Sequence, residues 1–414
     1  MRNRLNFVAL FASICTGAWL CSATIAAETP PAGPQVSKAV AKPLKAAQEA
    51  LQAKKLDEAL AKVKEAQAAS GDKTPYDSFV INQLLLFIYV QKQDYSAAAP
   101  ILESAAQSQY ATPDQQRGWL KALMGIEYQQ KDYAKTIDVG QQLLKHGVTD
   151  AETYTTIADC QNKLGKFKEA AATIGEVLQH QDKPEERLLA FQWNCYLKAN
   201  DDADAEKVIE KLVTYYPKPD YWLNALAPLL RMDIKDAHLQ LNVYRLMNEV
   251  GVLKRATDYS EMAEIALDAG YPGETQVVLE QAFARNVFVE QREKDRYQHL
   301  LDGAKQRAAT DKAQLGNVEH DAGGAATGDA LVQLGAAYMT YGQNDKAVAA
   351  ITKGIAKGGL KRPDEANLLL GITQFRLKNL PEAQKAFDKA ASSSNVGYAR
   401  LGKLWSLRAS GHSA

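Results

Sequence analysis

The sequence predicts an all-α solenoid of about ten helix–turn–helix units behind an N-terminal export leader. Three observations carry this. A short phrase recurs eight times along the 414 residues. Its copies are separated by a nearly constant interval. Within a copy, apolar residues return every three or four positions, the period of a helix that buries one face.

The phrase is a bulky residue, two positions, a small residue, then an apolar residue four further on. It reads KLDEALAKVKEA around Ala59, DYSAAAPILESA around Ala98 and DYAKTIDVGQQL around Thr136. It returns as KFKEAAATIGEV around Ala170, DADAEKVIEKL around Ala205 and, more weakly, YPGETQVVLEQA around Thr275. Clear copies surround Ala347 and Ala383. The first four intervals are 39, 38, 34 and 35 residues; the next two, 70 and 72, are double. The double intervals imply two degenerate units, one near 220–253 with Leu239 at its middle and one near 290–325.

Taken in order, residues 1–27 read as a cleaved signal peptide. Arg2 and Arg4 are followed by an uncharged run from Leu5 to Ala27 that ends in small residues. An uncleaved anchor is the other reading of the same run. Cys15 follows Ile14 and Cys21 follows Leu20, which argues against lipid attachment. Residues 28–43 carry four prolines and read as a flexible linker. Residues 44–288 form the N-terminal repeat array. Residues 289–328 are a charged, degenerate helical unit ending in a glycine-rich joint at 322–328, where Gly323 and Gly324 suit a hinge. Residues 329–410 form a C-terminal pair of units with a capping helix around Tyr398, Leu401 and Trp405. Gly165, Gly270 and Gly342 fall between paired helices, where a left-handed backbone is needed. Pro381 falls in a first helical turn, where its missing N–H costs little.

These units resemble the tetratricopeptide repeat (TPR) family. Leu334-Gly335 with Tyr338, and Leu370-Gly371, match the family's first helix. Ala170, Ala205, Ala347 and Ala383 match the small residue opening the second helix, and Ile174, Ile209, Ile351 and Phe387 match the large residue four later. Pro217 matches a closing proline. Leu86, Met124 and Trp193 stand where a small residue is usual, and Leu239 replaces the small residue of its unit. The first half is therefore expected to pack less regularly than 329–410. The resemblance implies a right-handed superhelix with first helices lining a concave groove. Carried over unit by unit, it places Lys121, Tyr128, Gln129, Asp159, Asn162, Lys163, Arg187, Asn194, Lys198, Tyr221, Asn224 and Arg231 on that face. Asn there would grip a peptide backbone and the cations would meet carboxylates. The rings of Tyr215 to Trp222 pack between units or form an aromatic platform.

Composition excludes other classes. Lys and Arg total 49 against 49 Asp and Glu, so nothing chain-wide favours nucleic acid. Hydrophobic residues are 46% of the chain, too many for global disorder. The six histidines show no i, i+4 metal spacing, and no phosphate loop or Gly-x-Ser-x-Gly elbow occurs. No cofactor is implied. Cys160 and Cys195 stand 35 apart, one repeat, so they share a column of adjacent units. Export permits a disulfide, but helices packed at roughly 8–10 Å hold such positions beyond the reach of an S–S bond. Two buried thiols are the other reading.

Residues 360–388 and Tyr216-Pro217-Lys218-Pro219-Asp220-Tyr221-Trp222 look similar to periplasmic TPR proteins accompanying TonB-type energy-transducing complexes. That resemblance implies a non-enzymatic adaptor with a protein or peptide partner in the cell envelope and no membrane insertion of the mature chain. A scaffold for cell-wall or exopolysaccharide enzymes, and an enzyme with an unrecognised groove site, are the alternatives. Oligomeric state is left open.

Overall fold

The computed structural model describes residues 34–232 and 236–411; among these are twenty helices and no strand. The leader at 1–27 and the linker up to residue 33 lie outside the described residues. The chain divides into two compact units at Asp201/Asp202.

The first unit runs α1 (Lys38–Gln52), α2 (Leu56–Ala68), α3 (Pro75–Gln91), α4 (Tyr95–Ala106), α5 (Pro113–Gln130), α6 (Tyr133–Lys145), α7 (Ala151–Lys163), α8 (Phe167–Leu178) and α9 (Glu186–Lys198). Each helix packs on the next. Helix α1 begins at Lys38, inside the segment expected to be a linker, and carries Pro43 within it. Its Val40, Leu44, Ala47 and Ala50 form one buried stripe, which is why it folds onto α2. Starts are fixed by caps. Thr74 and Asp77 form a reciprocal capping box, as do Thr112 and Gln115, each with proline at the first helical position. Asp94, Asp132 and Asp150 cap the helices that follow them.

Turns inside hairpins repeat one backbone device. Gly165, Gly270 and Gly342 are left-handed, with φ of 76°, 83° and 71°. Lys54, Gln93, Lys131, Asn200 and Lys378 adopt the same conformation in their own units without glycine's freedom. The turn therefore recurs wherever the phrase recurs.

The register is set by close approach. Ala59, Ala98, Thr136, Ala170, Ala205, Thr275, Ala347 and Ala383 are all buried, and Leu239 is buried in the column it was assigned. A Cβ on Gly335 would run into Ile351, and one on Gly371 into the Phe387 ring. Glycine there lets the first helix sit against the large residue of the second. The hairpins containing Gly335 and Gly371 interlock most extensively; in the first unit, α3/α4, which carries Leu86, interlocks least among the hairpins.

The second unit runs α10 (Asp202–Tyr215), α11 (Pro219–Met232), α12 (Ala237–Glu249), α13 (Ala256–Asp268), α14 (Pro272–Ala284), α15 (Gln291–Gly324), α16 (Asp329–Thr340), α17 (Asn344–Lys357), α18 (Pro363–Arg376), α19 (Leu380–Ala391) and α20 (Val396–Ser410). The degenerate unit near 220–253 is a helix pair, α11/α12. The one near 290–325 is not: α15 is a single helix of 34 residues. Tyr297, Leu301, Ala304, Ala308, Leu315 and Ala322 continue one buried stripe along it, and no proline breaks it. Gly323 and Gly324 lie inside this helix, so the expected joint shrinks to 325–328. Helix α20 covers α19 as a cap, and it also packs on α10, α11 and α12. The second unit thus closes on itself.

Candidate functional site

In the first unit, α5, α7 and α9 are successive first helices, and the residues assigned to the groove meet along them. The Tyr128 hydroxyl (α5) donates to Asp159 Oδ2 (α7) at 2.6 Å. Lys163 Nζ donates to the Tyr128 hydroxyl at 2.8 Å and also pairs with Asp159. The same ammonium lies 4.6 Å from the Tyr128 ring centre and 5.2 Å from that of Tyr133. Burial pulls the Lys163 ammonium down, but the Asp159 carboxylate and the Tyr128 hydroxyl outweigh it and hold it above the ordinary lysine range. Tyr128 is raised in turn, chiefly because its proton is held by Asp159.

Two further braces flank this cluster. Lys121 Nζ reaches Asp150 Oδ2 at 2.7 Å. Lys198 Nζ donates to Asn162 Oδ1 at 3.2 Å and lies over the Phe167 ring. The three lysines therefore cross-link neighbouring helices instead of standing free for a ligand. Arg187 differs. It is exposed and carries no ion pair among the described residues. It lines a pocket of about 280 Å³ with Tyr128, Thr155, Thr156, Asp159, Ile174, Leu188 and Phe191. The pocket has an apolar floor, two hydroxyls, a neutralised Asp159–Lys163 pair and one unneutralised cation. Gln129 and Asn194 are exposed on the same helices.

Tyr221, Asn224 and Arg231 fall on α11, in the second unit. The Asn224 amide is turned to the Asp220 carbonyl at 2.8 Å. Trp222 is buried, so this ring packs in the interior, while Tyr215 is exposed.

Cys160 and Cys195 are both buried free thiols, with no disulfide between them. Burial pushes each thiol up to about 11, which suppresses the reactive thiolate.

The sequence did not disclose a second charged assembly, inside the second unit. Arg245 (α12) makes a fork to Glu274 (α14), with Nε to Oε1 at 2.8 Å and Nη2 to Oε2 at 2.6 Å. Its Nη1 donates to Asn242 Oδ1 at 2.9 Å. Asn242 Nδ2 in turn donates to Glu365 Oε1 (α18) at 3.2 Å, and His238 Nδ1 lies 3.0 Å from the same oxygen. Burial pushes the Glu274 carboxyl up, but Arg245 outweighs it and holds it below the ordinary range. Arg376 lies nearby and donates to the Met339 carbonyl at 3.2 Å. Asn242, Arg245, Glu274 and Glu365 are nearly inaccessible and saturated by one another, so the assembly joins helices. The one signal in sequence was His238, Asn242 and Arg245 at i, i+4 and i+7 on a helix whose other side is apolar.

No cluster of three His, Cys, Asp or Glu side chains able to hold a metal occurs among the described residues. No described helix is long and apolar enough to cross a membrane.

Residues 332–396 match the tetratricopeptide repeat family model. No curated protein matches the sequence. Among solved structures, the chain is similar to YrrB, a TPR protein with an unusual peptide-binding site. Identity there is 16%, covering 45% of this chain and 91% of that one, with a TM-score of 0.30. It is also similar to a tetratricopeptide repeat protein from Parabacteroides merdae, at 14% identity over 79% of this chain and 98% of that one, TM-score 0.27. A third is the Naa15/Naa10 complex bound to HypK-THB, at 14% identity over 86% and 58%, TM-score 0.37. Residues 332–396 are thus recognised as tetratricopeptide repeat by sequence, and the described residues before them also form helix hairpins.

Proposed function

We propose that the chain is a non-enzymatic adaptor that holds an extended peptide segment of a partner protein in the first-unit pocket. One observation carries this: among the described residues Arg187 carries no ion pair, on a groove where Lys121, Lys163 and Lys198 are committed to Asp150, Asp159 and Asn162. An acidic side chain of the peptide meets Arg187. An apolar neighbour enters between Phe191, Leu188 and Ile174. Thr155 and Thr156 are at hand for the peptide backbone.

The adaptor works in the periplasm, delivered by the leader read at residues 1–27, and is accessory to a TonB-type transport complex. Support for the location is the charged, apolar and small-residue order of that segment. Support for the complex is the resemblance of 360–388 and of Tyr216 to Trp222.

A photo-crosslinker placed at Phe191 in living cells, followed by mass spectrometry, identifies the occupant. Its purified segment should then bind at least tenfold more weakly to Arg187→Glu, as loss of a charge-assisted contact implies. Unchanged affinity refutes the pocket. A reporter active only outside the cytoplasm, fused after residue 43, tests export separately.

A further inference from the structure

Helix α20 has two working faces. One covers the last hairpin: Trp405 stacks on Phe387 at 5.4 Å between ring centres and meets Phe375 edge-on at 5.9 Å. That face is what the end of a repeat array requires, since an uncovered hairpin exposes its apolar stripe. The second face is not required by that role. Arg400 Nε pairs with Glu206 Oε1 (α10) at 2.9 Å, and its Nη2 donates to the Ala225 carbonyl (α11) at 3.3 Å. Lys403 Nζ pairs with Glu210 Oε2 (α10) at 2.6 Å. Arg408 Nη2 pairs with Glu249 Oε1 (α12) at 3.0 Å. Gly397 lies so close to Leu239 (α12) that a Cβ would run into its side chain.

Every one of these contacts joins the last helix of the second unit to its first three. Basic residues lie on one side of the seam and acidic residues on the other. Glu210 and Arg400 are largely removed from solvent, so screening by salt is weaker there than for surface pairs. The interior Arg245–Glu274–Glu365 assembly ties α12, α14 and α18 together behind the same seam.

We propose that α20 is a clasp that couples the end of residues 202–411 to their beginning. In an open repeat array, a change at one end is felt by the adjacent repeat alone. In the clasped unit, loosening α20 loosens α10–α12, to which its hydrogen bonds reach back 159 and 175 residues along the chain. The clasp also fixes what a partner reaches: Glu206, Glu210 and Glu249 form an acidic strip already occupied in cis.

The test is amide hydrogen exchange by mass spectrometry on the full chain carrying Arg400→Ala and Lys403→Ala together. Exchange in α10–α12 should rise roughly tenfold, the factor corresponding to about 1.4 kcal/mol. A change confined to α18–α20 overturns the clasp and leaves α20 an end cap. The exchanged pair separates clasp opening from loss of folding. Lys403→Glu alone removes protection from α10–α12, and Lys403→Glu with Glu210→Lys restores it. Failure of the pair to restore protection overturns the contact as the coupling element.

Discussion

Replacing Glu274 by glutamine keeps the shape of the side chain and removes its charge. Arg245 is then left in the interior with Arg376 close by and no buried carboxylate facing its fork. The Arg245 side chain is 1% exposed and that of Glu274 9%, so water cannot substitute for the lost partner. Two unit charges about 4 Å apart attract by about 4 kcal/mol at an effective dielectric near 20. Breaking such a buried pair from one side costs about 3–5 kcal/mol, most of it the uncompensated charge. Glu274→Gln should destabilise residues 202–411 by that amount. Urea unfolding followed by pulse-labelling hydrogen exchange reads α12, α14 and α18 apart from the first unit. Replacing both partners, Arg245→Met with Glu274→Leu, should recover most of the loss, because the desolvation cost of the pair disappears with it. A single substitution costing under about 1 kcal/mol, or a double as costly as the single, would refute the account. The pH dependence has a fixed sign. The folded Glu274 carboxyl lies below its ordinary value of 4.5, so its stabilisation is present above that pH and lost as pH falls below it. In Glu274→Gln that component of acid unfolding should vanish.

Two further outcomes test the register and the thiols. Gly165→Ala strains a left-handed turn with open space around it and should cost about 1 kcal/mol, whereas Gly371→Ala drives a methyl into the Phe387 ring and should cost about 1–3 kcal/mol. Thermal melts showing the reverse order would contradict the assignment of one glycine to backbone and the other to packing. Cys160 and Cys195 should both be found as thiols in non-reduced mass spectrometry, and both should resist alkylation in the folded chain up to about pH 9, since burial holds each near 11; rapid labelling at pH 8 would show that one of them is reached from solvent.

The hairpins were legible in the sequence because their determinants are local. A small residue, a large one four later and a left-handed turn lie within one repeat, and every repeat restates them. The same register brought Tyr128, Asp159 and Lys163 to one face, since residues one repeat apart on stacked helices are neighbours. Their pairing was not legible: a lysine facing a groove reads the same whether it awaits a ligand or braces Asp159, and side-chain geometry decides between them. The long α15 was legible as helical and charged but not as unbroken, because Gly323 and Gly324 permit a break that packing against α14 and α16 leaves unused.

What the sequence determined by itself is the repeat: where helices begin, where they turn and which face each buries. What only the tertiary structure decided is how the second unit ends. Glu274 is 29 residues from Arg245, and Glu365 is 123 from Asn242. Arg400 is 175 residues from Ala225. Such contacts depend on the summed angles of every hairpin between them, a quantity no local pattern carries.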